Sequence, residues 1–145
     1  MKDFFLRRAR QADLDPVLEL IAESSLPVEG VAENFDTFVV AENGFKIVGA
    51  VGLELYGRYA LLRSAAVAKT WHGFGIGRAL VGEIISQART RNIETVFLLT
   101  TTAENYFPSF GFVKVGRSDV PDELLASREL QGACSDSATV MRLAL

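Results

Sequence analysis

The stretch TWHGFGIGRAL, residues 70–80, sets three glycines, Gly73, Gly75 and Gly77, within five positions just ahead of a helical apolar pattern. Glycine inside a helix costs roughly 1 kcal/mol relative to alanine, so this crowding at a helix entrance needs a reason. Downstream, Ile76, Leu80, Val81, Ile84, Ile85 and Ala88 recur on one helix face, and Asn92 ends the helix. Upstream, YALLRSAAV, residues 59–67, reads as a strand. The glycines therefore lie between a strand ending at Val67 and a helix N-terminus. That terminus carries unpaired N–H groups and about half a positive charge, which suits phosphate. Missing Cβ atoms let a phosphate reach the backbone. The alternative is a tight turn that needs positive φ, for which one glycine suffices; three alternating glycines favour the cradle.

Two nucleotide motifs fail here. No GxxxxGK[ST] string occurs. A GxGxxG fingerprint started at Gly75 or at Gly73 would need its last glycine where Leu80 or Arg78 stands. A nucleotide-dependent enzyme is thereby disfavoured.

Working outward, residues 4–8 read as a first strand, and Asp13 as the cap of a helix running to Ser24 with Pro16 in its first turn. A short helix is expected at 31–34. Two apolar runs flank Asn43-Gly44, a hairpin signal. TVFLLT, 95–100, has the continuous apolar character of a central strand. A helix at 103–110, a strand at 111–116, a short helix after Pro121 and a last strand in SATVMRL complete the pattern. The order β-α-α-β-β-β-α-β-α-β-α-β predicts one α/β domain over 1–145, with a mixed sheet and helices on both faces.

Composition narrows the function. The 145 residues are 49 % hydrophobic with a net charge of −3, which allows a full core and gives no footprint for nucleic acid. No run is long and apolar enough for a membrane span, and no signal-peptide pattern opens the chain. The one cysteine, Cys134, excludes an internal disulfide, points to a reducing, cytoplasmic location and reads as a packing residue. No cluster has metal-ligand spacing.

VAKTWHGFGIGRALV resembles the acetyl-CoA-binding segment of the GNAT N-acetyltransferases: Arg or Gln, two residues, Gly, any residue, Gly or Ala, after a strand ending in a Val-like residue. His72 stands where that family has Arg or Gln. YFPSFGF, 106–112, resembles its other landmark, an aromatic followed by Gly-Phe. FLRRARQADLDPVLELI, FLLTTTAENYFPSFGF and VPDELLA…SATVMRLAL look like the acetyltransferase domain of N-acetylglutamate synthases, and like small acetyltransferases encoded with arsenic-resistance genes. The resemblance implies the GNAT fold, a mostly antiparallel sheet with middle strands splayed apart. It implies acetyl-CoA as co-substrate, a small amino acid or analogue as acceptor, direct attack in a ternary complex, and a homodimer as one assembly. Cofactor contacts would come from Ala66, Val67, His72, Gly73, Phe74, Gly75, Ile76, Gly77 and Arg78, with Thr100 and Phe107 on the facing side.

The side-chain chemistry departs from the family. The glutamate that many relatives place six residues before Val67 is Leu61 here. Glu54, on the neighbouring strand, is the best remaining base, or else a solvated strand residue. Arg63 shares a strand face with Leu61; it reads either as a clamp for an acceptor carboxylate or as the partner of an internal acid. Glu29 and Ser137 are placed on the acceptor side, Glu29 with solvent exposure as its alternative. The family's leaving-group tyrosine position holds Phe107, with Tyr106 one residue earlier as acid or as pocket-lining aromatic. Both usual proton-transfer positions are changed, so a non-catalytic acyl-CoA sensor is the rival reading.

Overall fold

The computed structural model describes residues 3–145, so residues 1 and 2 of the expected 1–145 domain lie outside it. Seven strands form a sheet in the order β1-β2-β3-β4-β5-β7-β6. They are β1 (Phe5–Arg8), β2 (Val39–Glu42), β3 (Ile47–Tyr56), β4 (Tyr59–Val67), β5 (Thr95–Thr100), β6 (Val113–Val115) and β7 (Thr139–Ala144). Neighbours run antiparallel except β4 and β5. Helix α1 (Leu14–Glu23) covers one face and α2 (Ile76–Thr90) the other.

Strand alternation sorts the two cores. Val39, Ala41, Val48 and Leu53 pack with the α2 stripe of Ile76, Leu80, Val81, Ile84, Ile85 and Ala88. Val40 and Ala50 pack with Val17, Ile21 and Phe38 on the α1 face. The α1 face continues past the helix toward Leu61, Phe97 and Val140, where Leu124 from the segment before β7 covers them. Leu61, in the position of the usual base, is fully buried there.

Two irregularities open the middle of the sheet. Gly52 pairs with Arg63 and Ala50 with Ala66, so two steps on β3 face three on β4. The extra residue is a β-bulge at Ser64, whose φ is +61°. Arg63 and Ala66 thereby share a face although three positions apart. The second irregularity is the parallel pairing of β4 with β5, which runs Tyr59↔Thr95, Ala60↔Val96 and Leu61↔Phe97 and stops there among the described residues. Beyond that point the strands splay, as the resemblance implies.

Local competition explains where structure and expectation differ. Asp13 does not cap α1 with its side chain. Its carboxylate takes Arg7 Nη1 at 2.7 Å and the Arg10 N–H at 2.7 Å instead. Residues 103–110 make only a 3₁₀ turn, Phe107–Phe110. Pro108 supplies no N–H there and Gly111, at φ +100°, turns the chain out. The strand expected at 111–116 shortens to β6.

Candidate active site

The glycine loop joins the end of β4 to α2. Gly75 is the helix N-cap, and Gly73 and Gly75 hold φ of +85° and +84°. The turn reading thus accounts for two of the three glycines, because a Cβ is strained at such φ. A Cβ at either would meet no protein atom within 4 Å, so both face open space. At Gly77 a Cβ would come 3.3 Å from the Tyr106 hydroxyl. The first N–H groups of α2 have no intrahelical acceptor. They give onto a cavity of about 530 Å³ lined by Ala66, Val67, Trp71, His72, Gly73, Gly75, Ile76, Gly77, Arg78, Tyr106 and Phe107, among others. A glycine-lined helix entrance opening into such a space fits a pyrophosphate.

His72 hydrogen-bonds the Val67 carbonyl through Nε2 at 2.8 Å, tying the loop to the end of β4. Phe74 is half exposed, does not line this cavity, and packs edge-on against Trp71 at 6.1 Å. Trp71, which sequence reasoning missed, is a wall residue; an indole placed just before the glycines was the available signal.

A second cavity, of about 300 Å³, lies across the splay. Its walls include Pro27, Arg63, Ser64, Ala65, Thr100, Phe107, Glu129, Cys134 and Ser135. Ala65 and Phe107 line both cavities, so the two spaces meet where β4 leaves β5. Thr100 belongs to this second cavity, and its Oγ1 accepts the Ala103 N–H at 2.9 Å. Ser137 is exposed and bonds Ser135 Oγ at 2.8 Å; Ser135, not Ser137, lines the space.

Beneath this cavity is a buried charge cluster. Arg63 Nη1 donates to Glu54 Oε2 at 2.7 Å and to the Glu29 carbonyl at 2.7 Å. Nη2 donates to the Pro27 carbonyl at 3.0 Å, and Nε to Ser64 Oγ at 3.0 Å, with Glu129 Oε2 3.5 Å away. Gly30 makes the approach possible: its φ is +87°, and a Cβ there would lie 2.8 Å from Arg63 Nη1. Glu54 is 1 % exposed, and its other oxygen accepts the Tyr56 hydroxyl. It lines neither cavity. Glu29 contributes its carbonyl while its side chain faces outward. Arg63 thus has an internal acid as its partner, its guanidinium donates to protein acceptors, and it also borders the second cavity.

Three shifted titrations border the two cavities. Burial pushes the Glu129 carboxyl up to about 7, against the pull of Arg63. Burial raises the Tyr106 phenol above its ordinary range, with Arg78 opposing, so it stays a donor near neutral pH. Burial, with Glu129 alongside, also pushes the Cys134 thiol up to about 12, which keeps it un-ionised. Glu129 escaped the sequence reading because SRELQ has the composition of a solvated turn.

The GNAT acetyltransferase domain model matches residues 34–114. An amino-acid acetyltransferase of Mycobacterium tuberculosis is 30 % identical over 131 residues, 82 % of this chain and 74 % of that protein. An amino-acid acetyltransferase of Ralstonia nicotianae is 29 % identical over 82 % of this chain, which spans only 28 % of that longer protein. Among solved structures, Rv2747 of Mycobacterium tuberculosis, in complex with CoA, has a TM-score of 0.82 at 26 % identity, covering 97 % of this chain and 99 % of that one. N-acetylglutamate synthase of Neisseria gonorrhoeae shares the fold at a TM-score of 0.84 and 19 % identity, over 100 % of this chain and 36 % of that one.

Proposed function

The chain belongs to the GNAT acetyltransferases, and from that premise we propose that it moves an acetyl group from acetyl-CoA to the amine of a small amino acid or amino-acid analogue. The meeting of the two cavities at Ala65 and Phe107 carries this reading. Acetyl-CoA enters from the glycine-loop side, with its pyrophosphate on the N–H groups of Gly73, Gly75, Ile76 and Gly77 and its pantetheine along Ala66 and Val67. The acceptor enters from the side of Arg63, Thr100 and Glu129. The roughly 300 Å³ of that space suits a small molecule better than a folded protein tail. The names of the two amino-acid acetyltransferase relatives support the same acceptor class.

The chemistry follows from holding both reactants at the splay. The β4 edge facing β5 has lost its strand partner past Leu61. Backbone N–H groups toward Val67 are then free to polarise the thioester carbonyl as negative charge builds on it. The neutral amine attacks the carbonyl carbon, and the thiolate leaves toward the α2 N-terminus and Tyr106.

A panel of amino acids, their decarboxylated amines and close analogues, scored for acetyl-CoA-dependent release of the free thiol, tests this. Turnover restricted to amino acids and analogues is expected. Tight acetyl-CoA binding with no turnover across the panel would favour the sensor.

A further inference from the structure

Glu129 is a carboxylate that none of the recognised motifs accounts for, and it lies on the wall of the acceptor cavity. The 3₁₀ turn Arg128–Gln131 carries it there. Its N–H donates to Ser127 Oγ at 3.2 Å and its carbonyl accepts the Cys134 N–H at 3.2 Å, so the backbone is held from both sides. The residue is 4 % exposed. Glu54, by contrast, spends one oxygen on Tyr56 and the other on Arg63, away from the cavity. Arg63 reaches Glu129 only at 3.5 Å, a loose pairing that leaves its oxygens capacity to accept.

We propose that Glu129 is the general base of the transfer, taking a proton from the acceptor's ammonium inside this cavity. The inference rests on the acetyltransfer reading above. The acceptor R–NH₃⁺ gives one proton to a Glu129 oxygen. The nitrogen lone pair then forms the C–N bond at the thioester carbonyl, the C–S bond breaks and its electron pair leaves on sulfur. A second N–H proton leaves the nitrogen, and one proton ends on the coenzyme A sulfur. Glu129 returns the other to solvent.

The surroundings tune the group for this work. Burial moves its titration to about 7, Glu54 and Glu29 push the same way, and Arg63 and the Cys134 thiol pull it down. A base titrating near the working pH combines a useful ionised fraction with proton affinity.

The test is the pH profile of kcat/KM with the best acceptor of the panel. Wild type should show an acidic limb centred near pH 7. Glu129→Gln should lower kcat on the order of a hundredfold and abolish that limb, with coenzyme A affinity unchanged. Cys134→Ala, which withdraws a donor from the carboxylate, should move the limb to higher pH, and this readout decides if Glu129→Gln does not fold. Wild-type-like turnover with an unmoved limb in Glu129→Gln, or an unmoved limb in Cys134→Ala, overturns the inference alone. A wild-type protein silent toward every amine overturns it together with the acetyltransfer reading.

Discussion

Arg63 Nη1 lies 2.7 Å from Glu54 Oε2, with both side chains withdrawn from solvent. The two face each other from adjacent strands, across the pairs that flank Leu53 and Leu62. No buried side-chain nitrogen or oxygen among the described residues is left without a partner. An arginine so enclosed is part of the architecture of the second cavity's wall. Removing one member of a buried ion pair strands the other charge.

Arg63→Met should therefore destabilise the protein by about 3–5 kcal/mol in urea unfolding. Pairing it with Glu54→Leu should recover part of the loss, because the orphaned carboxylate goes too. The preference between amino acids and decarboxylated amines should stay where it was. A stable Arg63→Met protein with a strongly raised acceptor KM would instead reinstate the carboxylate clamp.

Gly75→Val attacks the other cavity. At φ +84° any L side chain costs roughly 1–2 kcal/mol, and a β-branched one more. Its new atoms project into the space over the α2 N-terminus, where protein offers no contact. Calorimetric titration should show acetyl-CoA affinity falling at least tenfold, with a cooperative melt retained at lower temperature. Unaltered affinity in the folded variant would remove the phosphate from this loop.

What the sequence disclosed depended on how local the deciding forces were. The bounds of β4, β5 and α2 were legible because continuous apolar runs and a 3.6-residue stripe specify them without help from distant residues. Asp13 read as a cap because capping is local; Arg7, in a strand, outbid the helix for its carboxylate. The aromatic run before Gly111 looked helical, yet Pro108 allowed only a 3₁₀ turn. The glycine-loop cavity was legible because backbone conformation builds it, and glycines advertise that. The second cavity was hidden because it assembles from Pro27, Arg63, Glu129 and Cys134, which meet only through the fold.

Glu129 also links stability to pH. Its carboxyl is raised from 4.5 to about 7 on folding. Below pH 4.5 both states hold the proton; between 4.5 and 7 the unfolded chain has lost it and the native state has not. Stability from this group is thus full at low pH and lost as pH rises through 7. Relative to Glu129→Gln, wild type should lose about 2–3 kcal/mol between pH 4.5 and 7.5. Urea midpoints of both proteins across that range check this; a constant difference would mean that the carboxyl ionises normally.

Tyr106 supplies the last test, on the fate of the leaving thiolate. Its hydroxyl lies over the first turn of α2, 3.3 Å from where a Gly77 Cβ would be. Its ring is held edge-on by Phe107 at 5.3 Å and Phe110 at 5.4 Å. Phe107, one residue on, is buried and has no proton to give. A thiol of pKa near 8.5 needs only modest help to leave, and the helix N-terminus already favours the anion. Tyr106→Phe should therefore keep the aromatic packing and the melting temperature, and lower kcat only about tenfold, below the usual range of general-acid effects. The deficit should grow with acetyl donors whose leaving group is more basic, since these depend more on a proton. An unchanged kcat with every donor would leave Tyr106 as a wall of the cofactor cavity and assign the sulfur's proton to solvent or to the amine nitrogen itself.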